Sequence, residues 1–231
     1  MKKKTTSQDY LKKLPDIQRR AAERLLAEAE PFKPVPSVLK QWFFWMAMAV
    51  LVAGISITVL QPQDGFLNRL QELPSGAFLI LLFIGSALAA WNGIASSMPG
   101  EEPGTASKIW MAVILAAVTA IPIFFFTPDH LKDVLDHDMA TGWFCFRTVV
   151  LVAIPSWVML AWMVSRNASF HPGWTGAWLG VSAFLLGTGT IQTHCTHWET
   201  THILVNHLLP MVLLIVLPIW AGSFWLSRWK K

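Results

Sequence analysis

Three histidines, a cysteine and a carboxylate fall within nine residues, His194-Cys195-Thr196-His197-Trp198-Glu199-Thr200-Thr201-His202. Thiolate sulfur and imidazole nitrogen together suit a transition metal such as zinc, copper or cadmium. The chain has two cysteines, and the other is Cys145. In an oxidising compartment the pair could close a structural disulfide. It could also cycle as a reversible thiol sensor whose state alters helix packing. A plainer reading is that interface histidines hydrogen-bond one another and water, since no HExxH or CxxC spacing is present. The choice depends on where the two cysteines sit.

Hydrophobic residues make up 54% of the 231 and charged residues 14%, a balance outside that of soluble domains and typical of membrane proteins. A hydrocarbon core is crossed by about 20 apolar residues. Six such runs occur, at 41–60, 76–96, 107–126, 143–164, 173–193 and 202–226. The expected fold class is therefore all-α, a polytopic membrane protein with six transmembrane helices. Pro122, Pro155, Pro210 and Pro218 lie inside these runs and read as kinks, because neighbouring groups in a membrane bundle re-satisfy freed carbonyls. Residues 1–40 form a cytoplasmic arm and 41–231 the transmembrane domain. The arm has no apolar core followed by a small-residue cleavage site, so it does not read as a signal peptide.

Lysine and arginine positions set the orientation. With the N-terminus in the cytoplasm, fifteen basic residues fall inside and two, Arg69 and Lys132, outside, leaving Arg147 within the fourth run. Six spans return the C-terminus to the cytoplasm. Trp143 and Trp198 then read as part of an outer aromatic belt. The net charge of +4 is a topology signal on helix flanks, and no direct nucleic-acid binding is expected.

This orientation puts Cys145 near the outer end of the fourth helix and Cys195 at the outer end of the fifth. Two cysteines at similar depth on consecutive antiparallel helices could meet. His130, His137, His194, His197, His202 and His207 lie on the same side, among Asp129, Asp133, Asp136, Asp138 and Glu199. Cys145, Cys195, His194, His197 and His202 are the candidate metal ligands. Arg147 follows Cys145 by two positions and points to a different helix face, within snorkelling distance of water. The helices carry no mid-span pair of acids or lysines to line a transport path. Gly85, Ala89 and Gly93, like Gly176 and Gly180, recur at four-residue spacing and indicate a tightly packed bundle. No GxSxG, Walker or Rossmann pattern occurs, so no catalytic residue is assigned.

In the arm, Pro15 can open a helix, Asp16 complements its dipole and Pro31 stops it. Leu14, Ile17, Ala21, Leu25 and Ala29 recur on one side. A helix of about sixteen residues is marginal alone, so its apolar stripe needs either the membrane surface or a groove on a partner protein. The Pro-rich tether "PFKPVPS" holds it away from the bilayer.

The segments "GWFCFRTVVLVAIPSWVMLAWMV" (142–164) and "GAWLGVSAFLLGTGTIQTHCTHWETTHILVNH" (176–207) resemble the NrsF-type membrane anti-sigma factors of bacteria. Gly142, Cys145, Pro155, Gly176, Gly180, His194 and Cys195 match that pattern. Thr196 and His197 stand where the family often has Pro and an acidic residue. The resemblance implies a multi-pass inner-membrane protein that sequesters an extracytoplasmic-function sigma factor through its arm. It implies release on heavy-metal or redox stress sensed at Cys145 and Cys195. No cofactor is required, although a transition-metal ion could be the signal. The competing class is a membrane metal-handling protein, either a transporter or a metal-dependent enzyme, built on the outer His/Cys cluster.

Overall fold

Side-chain size decides which helix occupies the middle of the bundle. The computed structural model describes residues 35–126, 139–167 and 169–226, and their regular elements are all helical. They are α1 (Val38–Leu60), α2 (Phe66–Gln71), α3 (Leu73–Ser96), α4 (Thr105–Phe125), α5 (Met139–Val164) and α6 (Pro172–Gln192). A last stretch follows in four pieces: α7 (Thr200–His202), π1 (Ile203–Leu208), α8 (Leu209–Leu214) and α9 (Val216–Trp225). Residues 1–34 of the arm, with Leu14, Ile17, Ala21, Leu25 and Ala29, lie outside the described residues, as do His130 and His137.

The bundle is apolar outside and partly polar inside, the reverse of a protein packed for water. Val50, Phe124 and Phe224 are exposed, whereas Asn92, Ser182, Thr188, Thr190 and Gln192 are buried. Such an exterior suits hydrocarbon, where burial of apolar groups no longer drives association and small or hydrogen-bonding residues do. Among the described residues, five helical stretches are long and apolar enough to cross a membrane: α1, α3, α4, Gly142–Val164 within α5, and Thr200–Trp225. The remaining expected run, 173–193, does fold as a helix, α6, but it is not among those five. Its sequence is rich in Gly, Ser and Thr, because nearly every side is covered by another helix.

The close approaches around α6 explain that composition. A Cβ on Gly176 would collide with the Pro218 carbonyl, and one on Gly180 would stand 2.6 Å from the Pro218 ring, so α9 lies directly on α6. On another side Gly93 accepts Leu179. There Ser86 and Ser182 each donate a hydroxyl to the other's carbonyl at 2.8 Å. That reciprocal pair clasps α3 to α6 and satisfies four polar groups without water.

Contacts between helix ends follow an alternating, antiparallel path. At one end the Gln63 N–H donates to the Thr193 carbonyl at 3.3 Å. At the same end Thr200 Oγ1 donates to the Pro122 carbonyl at 2.7 Å. At the other end Asn167 and Gln41 exchange amide hydrogen bonds at 3.3 Å, and Asn167 Nδ2 donates to Ser97 Oγ at 2.6 Å. Pro122 and Pro155 stay inside continuous helices, as expected. Trp198 differs from the belt expectation: it is 6% exposed and packs edge-on against Phe126, while Trp143 faces outward. The end of α4 supplies an aromatic partner, which holds the indole in the core.

A side chain at Gly176 would force α6 and α9 apart. Gly176→Val should therefore destabilise the bundle by about 1–3 kcal/mol or more, the usual cost of overpacking. Thermal unfolding in detergent measures this, and an unchanged midpoint would contradict the close approach.

Candidate functional site

Cys145, Val149 and Ala153 succeed one another at four-residue spacing, so they share one face of α5. They pack against Phe184 and Ile191 of α6. Gly187 makes this seam narrow: a Cβ there would stand 2.8 Å from the Val149 carbonyl. Cys145 lies at the end of the seam, and Cys195 reaches it from the turn that follows α6. The N–H groups of His194 and Cys195 both donate to the Ile191 carbonyl at 2.9 Å, a shared bond of the kind that closes helix ends. The two sulfurs lie 3.7 Å apart, with no disulfide between them.

The last stretch contributes two imidazoles. In an α-helix His202 and His207, five residues apart, would point about 140° away from each other. Here the chain between them is a π-helix, Ile203–Leu208, whose wider turn brings such residues towards one face. Pro210 accounts for the change locally, since it has no N–H and its ring crowds the carbonyl of Asn206 four residues earlier. The rings of His202 and His207 meet edge to face with centroids 5.2 Å apart. Ligand atoms of Cys145, Cys195, His202 and His207 all lie within 4.8 Å of one another, and all four residues are buried.

Hydrogen bonds orient the members of this group. His207 Nδ1 is 2.8 Å from Gln192 Oε1, an acceptor, so Nδ1 carries the proton and Nε2 holds the lone pair. That Nε2 is buried and makes no hydrogen bond. Thr188 Oγ1 donates to the His207 carbonyl at 3.0 Å and ties the π turn to α6. His202 Nε2 is 3.3 Å from Cys195 Sγ, and its Nδ1 is 3.4 Å from Asn206 Nδ2. Gly142 leaves the space in which the Asn206 carboxamide sits.

Of the five ligands expected from the sequence, the structure brings together Cys145, Cys195 and His202. His194 turns away, with Nδ1 2.6 Å from the Gln61 carbonyl. His197 lies beside Glu199 at 3.5 Å and stacks on His202 with centroids 5.1 Å apart, so it flanks the group. The fourth member, His207, is absent from the expected ligand set, as is its partner Gln192. The signal for it was Pro210, a residue that disturbs the helix three positions after His207. Arg147 is exposed, on a face away from the thiols.

The family profile described as NrsF, negative regulator of sigma F, matches residues 25–229. The chain belongs to the NrsF family. The match extends the resemblance carried by residues 142–164 and 176–207 to nearly the whole chain, and it includes the four clustered residues. NrsF membership points to negative regulation of a sigma factor and to a regulator rather than an enzyme. No curated protein and no solved structure matches the chain.

Within this NrsF chain the Cys195 thiol is pushed above its ordinary value of 9.0, by its contact with Cys145 first and by burial second, against a smaller downward pull from His202 and His207. Its S–H donates to the His197 carbonyl at 3.3 Å. A raised thiol value means the neutral form persists through neutral pH, and the thiolate needed for alkylation appears only in alkali. Iodoacetamide labelling of Cys195, followed by mass spectrometry, should accelerate roughly tenfold per pH unit up to and beyond pH 9.0. A rate that levels off below pH 9.0 would contradict the raised value.

Proposed function

We propose that this chain is a membrane-bound anti-sigma factor that sequesters an extracytoplasmic-function sigma factor through its cytoplasmic arm. It releases the factor when heavy-metal or redox stress reaches Cys145 and Cys195. The observation that carries this reading is the family match over residues 25–229. Five stretches apolar enough to cross a membrane, with α6 as a sixth pass enclosed by them, fit a multi-pass inner-membrane protein with both termini in the cytoplasm. The bias of Lys and Arg supports that orientation. The four clustered side chains are each no more than 4% exposed, which leaves little room for a substrate and favours a regulator over a metal-dependent enzyme.

A signal at the outer thiols must be felt where the arm begins. One route runs through α5, which carries Cys145 towards one end and leads at the other to Asn167. That residue holds Gln41 of α1 and Ser97 just past α3. Because a packed helix shifts as a body, a change at Cys145 can be read at Gln41, four residues after the tether's last residue, Ser37. By linkage, whatever favours the released state at the thiols lowers sigma-factor affinity by the same factor.

The test is affinity capture of full-length protein in detergent, beside a version lacking residues 1–35, with mass spectrometry of what is retained. The full chain should hold a sigma factor and the truncated chain should not. Equal recovery, or none from either, would contradict the arm's role. Cys145→Ser and Cys195→Ser should retain the factor but abolish its stress-dependent release. Asn167→Ala should change the release midpoint by about 0.5–2 kcal/mol equivalent if α5 carries the coupling; an unchanged midpoint would exclude that route.

A further inference from the structure

We propose that Cys145, Cys195, His202 and His207 form a closed four-coordinate site for a thiophilic divalent cation, Zn2+ or Cd2+, with His194 and His197 outside it. The inference rests on the sensing role proposed for the cysteine pair, and it names the ligand set and the class of ion. Four donors converge, with ligand atoms within 4.8 Å of one another, and two sulfurs with two imidazole nitrogens are a set that tetrahedral zinc takes in structural sites. A tetrahedron with Zn–S bonds of about 2.3 Å has an S–S edge of about 3.8 Å. The sulfurs stand 3.7 Å apart, so they need scarcely move to bind.

The second observation is the state of His207. Its ring is fully buried, Nδ1 is held by Gln192, and Nε2 has no hydrogen-bond partner. An orphaned buried acceptor is costly, and this one belongs to a group of potential ligands. The Gln192 contact is the supporting bond that a metal-bound histidine usually makes through its other nitrogen. Asn206 presents its amide nitrogen to His202 Nδ1 at 3.4 Å; turning the carboxamide would place Oδ1 against Nδ1–H and keep the lone pair on the Nε2 that faces Cys195. A disulfide between the cysteines would consume both sulfurs and leave the imidazoles without a role.

Charge favours the same assignment. On binding, the two S–H bonds break, two S–metal bonds form, and the imidazole lone pairs complete the coordination. Two protons pass to water and no electron is transferred. Two thiolates neutralise a divalent ion, so the filled site carries no net charge into its buried setting, which limits the desolvation cost. A monovalent ion would leave the complex negative.

The test uses reduced, metal-free, full-length protein in detergent, titrated with Co2+ and Cd2+. We expect one ion per chain, sulfur-to-metal charge-transfer absorption for both, and the intense visible bands of tetrahedral Co2+. His202→Gln and His207→Gln should each weaken Cd2+ binding at least about tenfold, since even loss of a supporting partner costs that much. His194→Gln and His197→Gln should leave it unchanged. A wild-type Co2+ spectrum without tetrahedral bands overturns the site, and this result needs no variant to fold. Undiminished Cd2+ binding by both His202→Gln and His207→Gln overturns it as well. Tetrahedral binding without any change in sigma-factor retention upholds the site and removes the sensing role. Release by Cd2+ at wild-type concentrations from His207→Gln upholds sensing and overturns the four-ligand site.

Discussion

Close backbone approach around α6 is the constraint on which the rest of the structure depends. A helix can be surrounded by others in an apolar medium only if its surface lets their backbones in, and Gly176, Gly180 and Gly187 do this on α6. The first two accept α9 and the third accepts the Val149 carbonyl of α5. Once α5 lies that close, Cys145 has a fixed depth beside the end of α6. The turn at Ile191 then needs only four residues to return Cys195 to it. The same closeness accounts for the polar interior, because Ser86 and Ser182 reach each other's carbonyls only across a narrow gap.

The second determinant is the π turn. An α-helical path through Ile203–Leu208 would keep His202 at the thiols and turn His207 away from them. The wider turn brings both inward, and Thr188 and Gln192 of α6 secure it from the side. Single wide turns of this kind recur at functional sites because they re-aim a side chain at little cost in backbone hydrogen bonds. Pro210 supplies the local reason, and α6 supplies the partners that make the altered path stable.

Much of this was legible in the amino-acid sequence. Runs of apolar residues give helix positions closely, because length and hydropathy are local properties: the run at 41–60 became Val38–Leu60, and 76–96 became Leu73–Ser96. The meeting of Cys145 and Cys195 followed from their matching depth on consecutive helices. Other features depended on three-dimensional context. Trp198 looked like a belt residue until the end of α4 proved to cover it. His194 and His197 are near Cys195 in sequence, but a turn separates directions that adjacency in sequence does not. His207 lay hidden because an ordinary α-helical period turns it away from His202, and the segment between them is π-helical. α6 could be recognised as a helix, yet its low apolarity became intelligible only when its neighbours were known.

These parts give one small regulator a link between the two ends of its bundle. The thiol group sits at one end of α5 and the Asn167–Gln41–Ser97 joint lies beyond its other end, so the two ends of the bundle share a rigid element. Coupling energies between such sites are commonly 1–3 kcal/mol, enough to change partner affinity from about fivefold to over a hundredfold. The most direct measurement is the dissociation constant of the sigma factor for full-length protein in detergent, with the thiols reduced and metal-free and again after saturation with Cd2+. The account predicts weaker binding in the second state by at least about fivefold, with the difference abolished by Cys145→Ser. Equal constants in the two states would contradict it.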